Sequence, residues 1–290
     1  MSAESGGGLR PYYLLTLMSP SSILQLTRLS DHRFGVDNHG DPSVSNVVFG
    51  GQLLAQMIMV AAQENDHQHV KTISAVFARA GRIDTPTEID VETINAGRTF
   101  SSYTLSVRQG DRLCTRAQVL TTVDEPDFIA HQPDRPELSP PADGASRRVG
   151  GLAFPGAEYV IVDDIDVNDS TADPRPPILD MWYRSVDTPT ERATDQAVLA
   201  WATDGFLIGT AMLPHAGVAQ DQAHVSINTG VVGHTLTFHR PFSLSDWALM
   251  RHEALVACGG RSYGRCNVFD STGSLVATYV QDSMIRPMSA

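Results

Sequence analysis

Asp204 is the side chain whose place in the chain says most about chemistry. It heads Asp204-Gly205-Phe206-Leu207-Ile208-Gly209-Thr210-Ala211-Met212, a run that is apolar nearly all round, as in a helix enclosed by other structure. A carboxylate there caps the free N–H groups of a first turn and is favoured by the positive helix end. Other reactive groups are easier to set aside. His234, His239 and His252 raise the question of a metal, but strand-like spacing and the lack of a paired carboxylate favour packing roles. Asp163, Asp164 and Asp166 form an acidic run without an EF-hand acceptor pattern and read as a solvated strand edge. Ser226 and Ser262 stand outside any G-x-S-x-G elbow, so a serine hydrolase fits poorly. Gly50-Gly51 lacks the GxGxxG spacing of a dinucleotide site. Arg79, Arg240 and Arg261 either meet phosphates of an anionic ligand or pair with Glu92 and Glu253 on neighbouring strands, and the pairing is the simpler expectation.

These residues must be positioned by alternating helices and strands. Residues 11–30 carry apolar residues at helical spacing, broken by Ser-Pro-Ser-Ser after Met18. Arg33–Val36 reads as a strand, and Val47–Ala62 as a long buried helix entered through two glycines. Lys71–Arg79, Thr87–Ile94, Arg98–Arg108 and Arg112–Val123 read as strands, the last two joined by a Gln-Gly-Asp hairpin turn. From about residue 124 to 173 proline becomes dense, which predicts a surface linker, partly disordered, with a strand at Glu158–Ile165. The second part then reads as a strand at Met181–Val186 and a helix at Ala193–Thr203 running up to Asp204. Strands follow at His224–Asn228, Val231–Arg240, Trp247–Val256, Tyr263–Phe269 and Leu275–Arg286. The expected units are 11–123, a linker at 124–157, and 158–287.

Bulk properties bound the function. At 290 residues, 42% hydrophobic and 19% charged, the chain can bury a large core without cross-links. A net charge of -12 and no clustered Lys/Arg argue against a nucleic-acid surface, while leaving room for a local pocket that takes a small anionic ligand. Cys114, Cys258 and Cys266 form neither a CxxC pair nor zinc spacing. Reduced thiols, no signal pattern and no apolar run long enough to span a bilayer predict a cytoplasmic protein without membrane insertion.

The chain also repeats. Phe77-Ala78-Arg79 lies against Phe238-His239-Arg240, and an ungapped comparison brings Glu92 onto Glu253. With two residues inserted ahead of Gly260, Gly97 falls on Gly260, Gly110 on Gly273, and Gln118 on Gln281. Each copy then supplies a long apolar helix and antiparallel strands able to wrap it, an α+β arrangement whose two sheets can join edge to edge. Gly50-Gly51 stands opposite Asp204-Gly205. A carboxylate in one copy and none in the other predicts one specialised site per chain.

Several strings in this order resemble a known family: Val48-Phe49-Gly50-Gly51-Gln52, Asp90-Val91-Glu92-Thr93, Thr203-Asp204, Pro214-His215, Phe238-His239-Arg240-Pro241-Phe242, and Val276-Ala277-Thr278-Tyr279-Val280-Gln281-Asp282. The chain is similar to the acyl-CoA thioesterase II family, in which two hotdog domains share one polypeptide. The resemblance implies hydrolysis of fatty acyl-CoA to a free fatty acid and coenzyme A. It implies no cofactor, no metal and no covalent enzyme intermediate, and assembly into at least a homodimer. It carries the water-activating Asp onto Asp204 and the water-holding Gln onto Gln281. The family's Ser or Thr falls on Val231, and Gly233 replaces the family's Asp before His234. Thr229 and Thr235 lie an even number of residues from Val231 and would share its face on an unbroken strand. Gly230 and Gly233 could instead introduce a bulge that shifts the register. Backbone N–H groups at a helix start can bind the developing oxyanion, with Gly50, Gly51 and Gly205 allowing close approach; His234 and Arg240 are candidates for contact with substrate. Two other acyl-CoA readings fit the same fold, a hydratase and a binding protein that has lost catalysis.

Overall fold

The computed structural model describes residues 20–40, 45–142, 148–149, 154–186 and 188–288. The first half runs α1 (Pro20–Ile23), β1 (Leu26–Ser30), β2 (Arg33–Val36), α2 (Gly50–Glu64), β3 (His69–Phe77), β4 (Thr87–Ala96), β5 (Phe100–Gln109) and β6 (Arg112–Thr122). The second runs β7 (Arg148–Val149), β8 (Ala157–Ile161), β9 (Ile178–Ser185), α3 (Arg192–Ala202), α4 (Leu207–Met212), β10 (Ile227–Phe238), β11 (Ala248–Cys258), β12 (Arg261–Phe269) and β13 (Leu275–Pro287). All the named strands belong to one sheet, ordered β1-β2-β4-β5-β6-β3-β10-β13-β12-β11-β9-β8-β7. Outward from the β3–β10 junction, β6, β5, β4, β2 and β1 on one side answer β13, β12, β11, β9 and β8 on the other. This is the expected pair of hotdog units, and their sheets do join edge to edge, which hides two strand edges.

The pairings correct the residue-by-residue repeat. Tyr103 and Ile73 flank Val119, as Gly264 and His234 flank Gln281. The length difference is therefore one residue in the last hairpin, not two ahead of Gly260. Val119 answers Gln281 and Ile73 answers His234, whereas Gln118 is exposed and bonded to Thr104 on the outer face. The same bulge occurs in both copies: Lys71 is skipped in the β3–β6 ladder and Val232 in the β10–β13 ladder.

α2 is buried nearly all round, with Leu53, Leu54, Met57, Ile58 and Ala61 in the core. Its two buried glutamines are hydrogen-bonded, Gln52 Oε1 accepting from the His39 N–H (3.1 Å) and Gln56 Nε2 donating to the Asp37 carbonyl (2.8 Å), while Gln56 Oε1 has no protein partner. The second half departs from the expected single long helix. α3 stops at Ala202, Thr203–Phe206 form a break, and α4 restarts at Leu207. α3 packs on α2, while α4 lies over β11 and β12. A bare Gly264 lets Leu207 approach, since a Cβ there would stand 2.8 Å from Leu207 Cδ2.

At the start of the described chain the expected helix is also corrected. Residues 26–30 form an edge strand paired to β2, in which Leu26 packs against the core while Thr27 to Ser30 are exposed. Residues 11–19 lie outside the described residues. The first part of the Pro-rich segment is laid down on the second half. Gln132 donates to the Gly273 carbonyl (2.8 Å) and accepts from the Leu275 N–H, and Leu138 packs against Trp182, Leu249 and Phe269. Among the described residues no helix is long and apolar enough to cross a membrane, and no group of three or more His, Cys, Asp or Glu could hold a metal ion.

Candidate active site

Asp204 sits, half-buried, in the break between α3 and α4. It is not the cap of α4, whose N-cap is Phe206 without a side-chain bond. Its Oδ2 instead accepts the N–H of Gly51 at 3.0 Å, across the two halves. It thus caps α2, a helix with no capping side chain of its own. A Cβ on Gly50 would lie 2.7 Å from Asp204 Oδ2 and 3.2 Å from Phe77 Cε1, and one on Gly51 would run into the Trp201 carbonyl. The glycine pair is what admits the carboxylate. Oδ1 is shielded from solvent and has no hydrogen-bond partner in the protein. Burial pushes the Asp204 carboxyl up to about 7, with the Gly51 and Gly50 amides holding it back from a larger rise.

This geometry changes the expected oxyanion site. The Gly51 N–H is taken by Asp204, and the Gly205 N–H points back to the Ala202 carbonyl (3.4 Å) at the end of α3. Gly50 and Gly51 therefore serve the carboxylate directly, and Gly205 closes a helix.

His234 and Gln281 face each other across β10 and β13, both buried on the inner face. Thr203 Oγ1 lies 3.0 Å from His234 Nε2 and 2.7 Å from the Ala200 carbonyl. Its single proton goes to that carbonyl, so the network assigns the imidazole proton to Nε2 and leaves Nδ1 as a lone pair. Burial pushes His234 down to about 4, against a weaker upward pull from the neighbouring Gln281. That neighbour lies outside hydrogen-bonding geometry, since His234 Nδ1 and Gln281 Oε1 are both without a protein partner. Tyr279 stacks on His234 with ring centroids 5.2 Å apart and forms the wall behind it.

The bulge at Val232 separates the two threonines. Thr229 stays on the inner face, opposite Ile285, and is buried. Thr235 is turned to the outer face, where its hydroxyl bonds to Ser74 at 2.8 Å. The expectation that Thr235 shares a face with Val231 is therefore corrected, and the register shift foreshadowed by Gly230 and Gly233 is the reason. Arg240 is not brought into the site: it lies past the far end of β10 and pairs with Asp127 at 3.5 Å. Nor do the arginines find the expected glutamates. Arg261 pairs with Asp282 (2.7 Å), and Glu253 with Arg265 (2.8 Å).

Thr203 is read from the sequence only as part of the Thr203-Asp204 string, and Ser283 is not singled out at all. Ser283 lies directly opposite Val231, is buried, and accepts a hydrogen bond from Gln281 Nε2 at 2.9 Å. Strand periodicity would have found it, two residues beyond Gln281 on the same face. Two residues further on, Ile285 lines a cavity of about 270 Å³ together with Ala211, Met212, Val218 and Ala257, between the end of α4 and the sheet. Among the described residues the polar set occurs once, because the first half carries Gly50, Ile73 and Val119 at the corresponding places.

Comparison with known proteins agrees with this architecture. Residues 39–122 match the acyl-CoA thioesterase N-terminal domain and residues 130–285 the acyl-CoA thioesterase C-terminal domain. The chain is 29% identical to acyl-CoA thioesterase 2 of Haemophilus influenzae over 255 residues, covering 82% of this chain and 87% of that one. Among solved structures its fold is similar to the tesB protein of Mycobacterium avium subspecies paratuberculosis (TM-score 0.77, 22% identity, 92% of this chain and 98% of that one). It is also similar to the acyl-CoA thioesterase II TesB2 of Mycobacterium marinum (TM-score 0.76, 22% identity, 93% and 99%).

Proposed function

This chain belongs to the acyl-CoA thioesterase family, with both of the family's domains in one polypeptide, and from that premise we propose that it hydrolyses fatty acyl-CoA by direct attack of a water activated by Asp204 and oriented by Gln281. The observation that carries the reading is the state of Asp204. A carboxyl raised to about 7 is half ionised near neutral pH, and its shielded Oδ1 is unengaged while the Gly51 N–H holds Oδ2. That is the acidity a general base needs in order to take a proton from water. Gln281 Oε1, also unengaged, accepts the water's second hydrogen.

As the water oxygen bonds to the thioester carbonyl carbon, Asp204 accepts its proton. Negative charge passes onto the carbonyl oxygen as the tetrahedral intermediate forms. The C–S bond then breaks, its electron pair leaves on sulfur, and the proton passes from Asp204 to the coenzyme A thiolate. Free acid and free thiol are the products. The acyl chain is taken by the apolar cavity between α4 and the sheet, continuous in strand order with Gln281, Ser283 and Ile285. The compartment that suits its free thiols is the cytoplasm, and the assembly is at least a homodimer, which light scattering would measure.

Thiol release from a panel of acyl-CoAs tests the reading. The wild type is expected to turn over at least one chain length, and Asp204→Asn to lose about 100-fold or more in kcat, the scale of a general base. No release from any acyl-CoA sinks the hydrolase reading, and release unaffected by the substitution sinks Asp204 as the base.

A further inference from the structure

We infer that Ser283 is a positioning residue of this site: its hydroxyl anchors the side-chain amide of Gln281 through Nε2 and so holds Oε1 in place toward the water. The inference rests on the hydrolase reading above. An unrestrained glutamine amide can turn over and offer either end to a neighbour, and only the carbonyl end can accept a hydrogen from water. In this protein Ser283 Oγ accepts from Gln281 Nε2 at 2.9 Å, and Oε1 is left without a protein partner. Both residues are buried on the inner face of β13, so water does not compete for the amide. Directly across on β10, Val231 offers no polar atom to replace the serine.

The first half provides a contrast. The corresponding hydroxyl there is Thr121, just past the matching bulge. It donates to Gln68 Oε1 at 2.7 Å, so its proton is spent on a side-chain carbonyl. Ser283 is used in the reverse sense, as the acceptor for an amide N–H, which frees the glutamine carbonyl rather than occupying it.

Steady-state thiol release by the full chain tests this with S283A, S283T, Q281A and the S283A/Q281A double variant. S283A is expected to lower kcat about tenfold, the scale of one hydrogen bond, with KM little changed. S283T, which keeps the acceptor, should recover most of the rate. In the Q281A background S283A should cost almost nothing more, because the serine acts through the glutamine. A purely structural serine would not show that coupling. S283C, near-isosteric but a poor acceptor, carries the same test should S283A fail to fold. An active wild type with unchanged kcat in S283A, or a loss that persists in full on top of Q281A, overturns the inference alone. A wild type that releases no thiol overturns the hydrolase reading and this inference with it.

Discussion

Asp204 joins two roles that compete electrostatically. Its Oδ2 completes the first turn of α2, which favours the anion, while burial disfavours it, and burial wins. The kinetic consequence is an acid limb: kcat/KM should rise with pH and level off above about 7, as the free enzyme loses the Asp204 proton. A pH–rate profile measures it, and a midpoint near the ordinary carboxylate value would remove Asp204 as the titrating base. The thermodynamic consequence has the opposite sense. The folded state holds a proton on Asp204 up to about 7, whereas the unfolded chain releases it near the ordinary value of about 4. Stability therefore falls as pH rises between those values. Asp204→Asn removes the buried charge and should be more stable than wild type at pH 8 by about 1–3 kcal/mol, read from urea unfolding. Equal midpoints would mean that the carboxylate is well compensated in the fold. The sequence marked Asp204 through its asymmetry with Gly50, and capping was the right physics. Which helix it caps was not legible, because α2 lies 153 residues away in the chain and no local pattern encodes that meeting.

At the scale of the element, strands were legible and their register was not. Alternation along Val231–Arg240 and Leu275–Arg286 marks both strands, since one face is buried and the other is not. A bulge moves every later side chain to the opposite face, and the residue it skips, Val232, is an ordinary strand residue with no signature of its own. The same limit misled the pairing of Gln118 with Gln281, where a one-residue difference in a hairpin exchanges an exposed outer residue for a buried inner one. The bulge makes a sharp prediction for the two threonine candidates. Thr235→Val removes only an outer-face bond to Ser74, so thiol release should stay within about twofold of wild type. A loss of tenfold or more in that assay would put Thr235 in the site and contradict the β10 register.

For the whole molecule, the duplication makes one site out of two nearly symmetric halves. The first half contributes the start of α2, while the second contributes Asp204, His234, Gln281 and Ser283, so neither half holds the site alone. The junction that unites them is extensive. β3 pairs with β10 from Thr72↔Thr237 to Val76↔Gly233, Lys71 Nζ donates to the Phe238 carbonyl at 2.6 Å, and buried Gln196 donates to the Val70 carbonyl at 2.7 Å. The covalent linker adds little to this beyond loop closure, which grows slowly with length. Within it Phe128 is 98% exposed and Ile129 76% exposed, side chains that a protease reading aromatic residues reaches without unfolding anything. Brief chymotrypsin treatment should therefore cut first after Phe128. The nicked chain should elute at its original size and keep most of its thiol-release rate, because the β-ladder, the α2–α3 packing and the Gly51–Asp204 bond all survive the cut. Dissociation of the fragments, or loss of activity in step with the nick, would show that the linker itself holds the two halves in catalytic register.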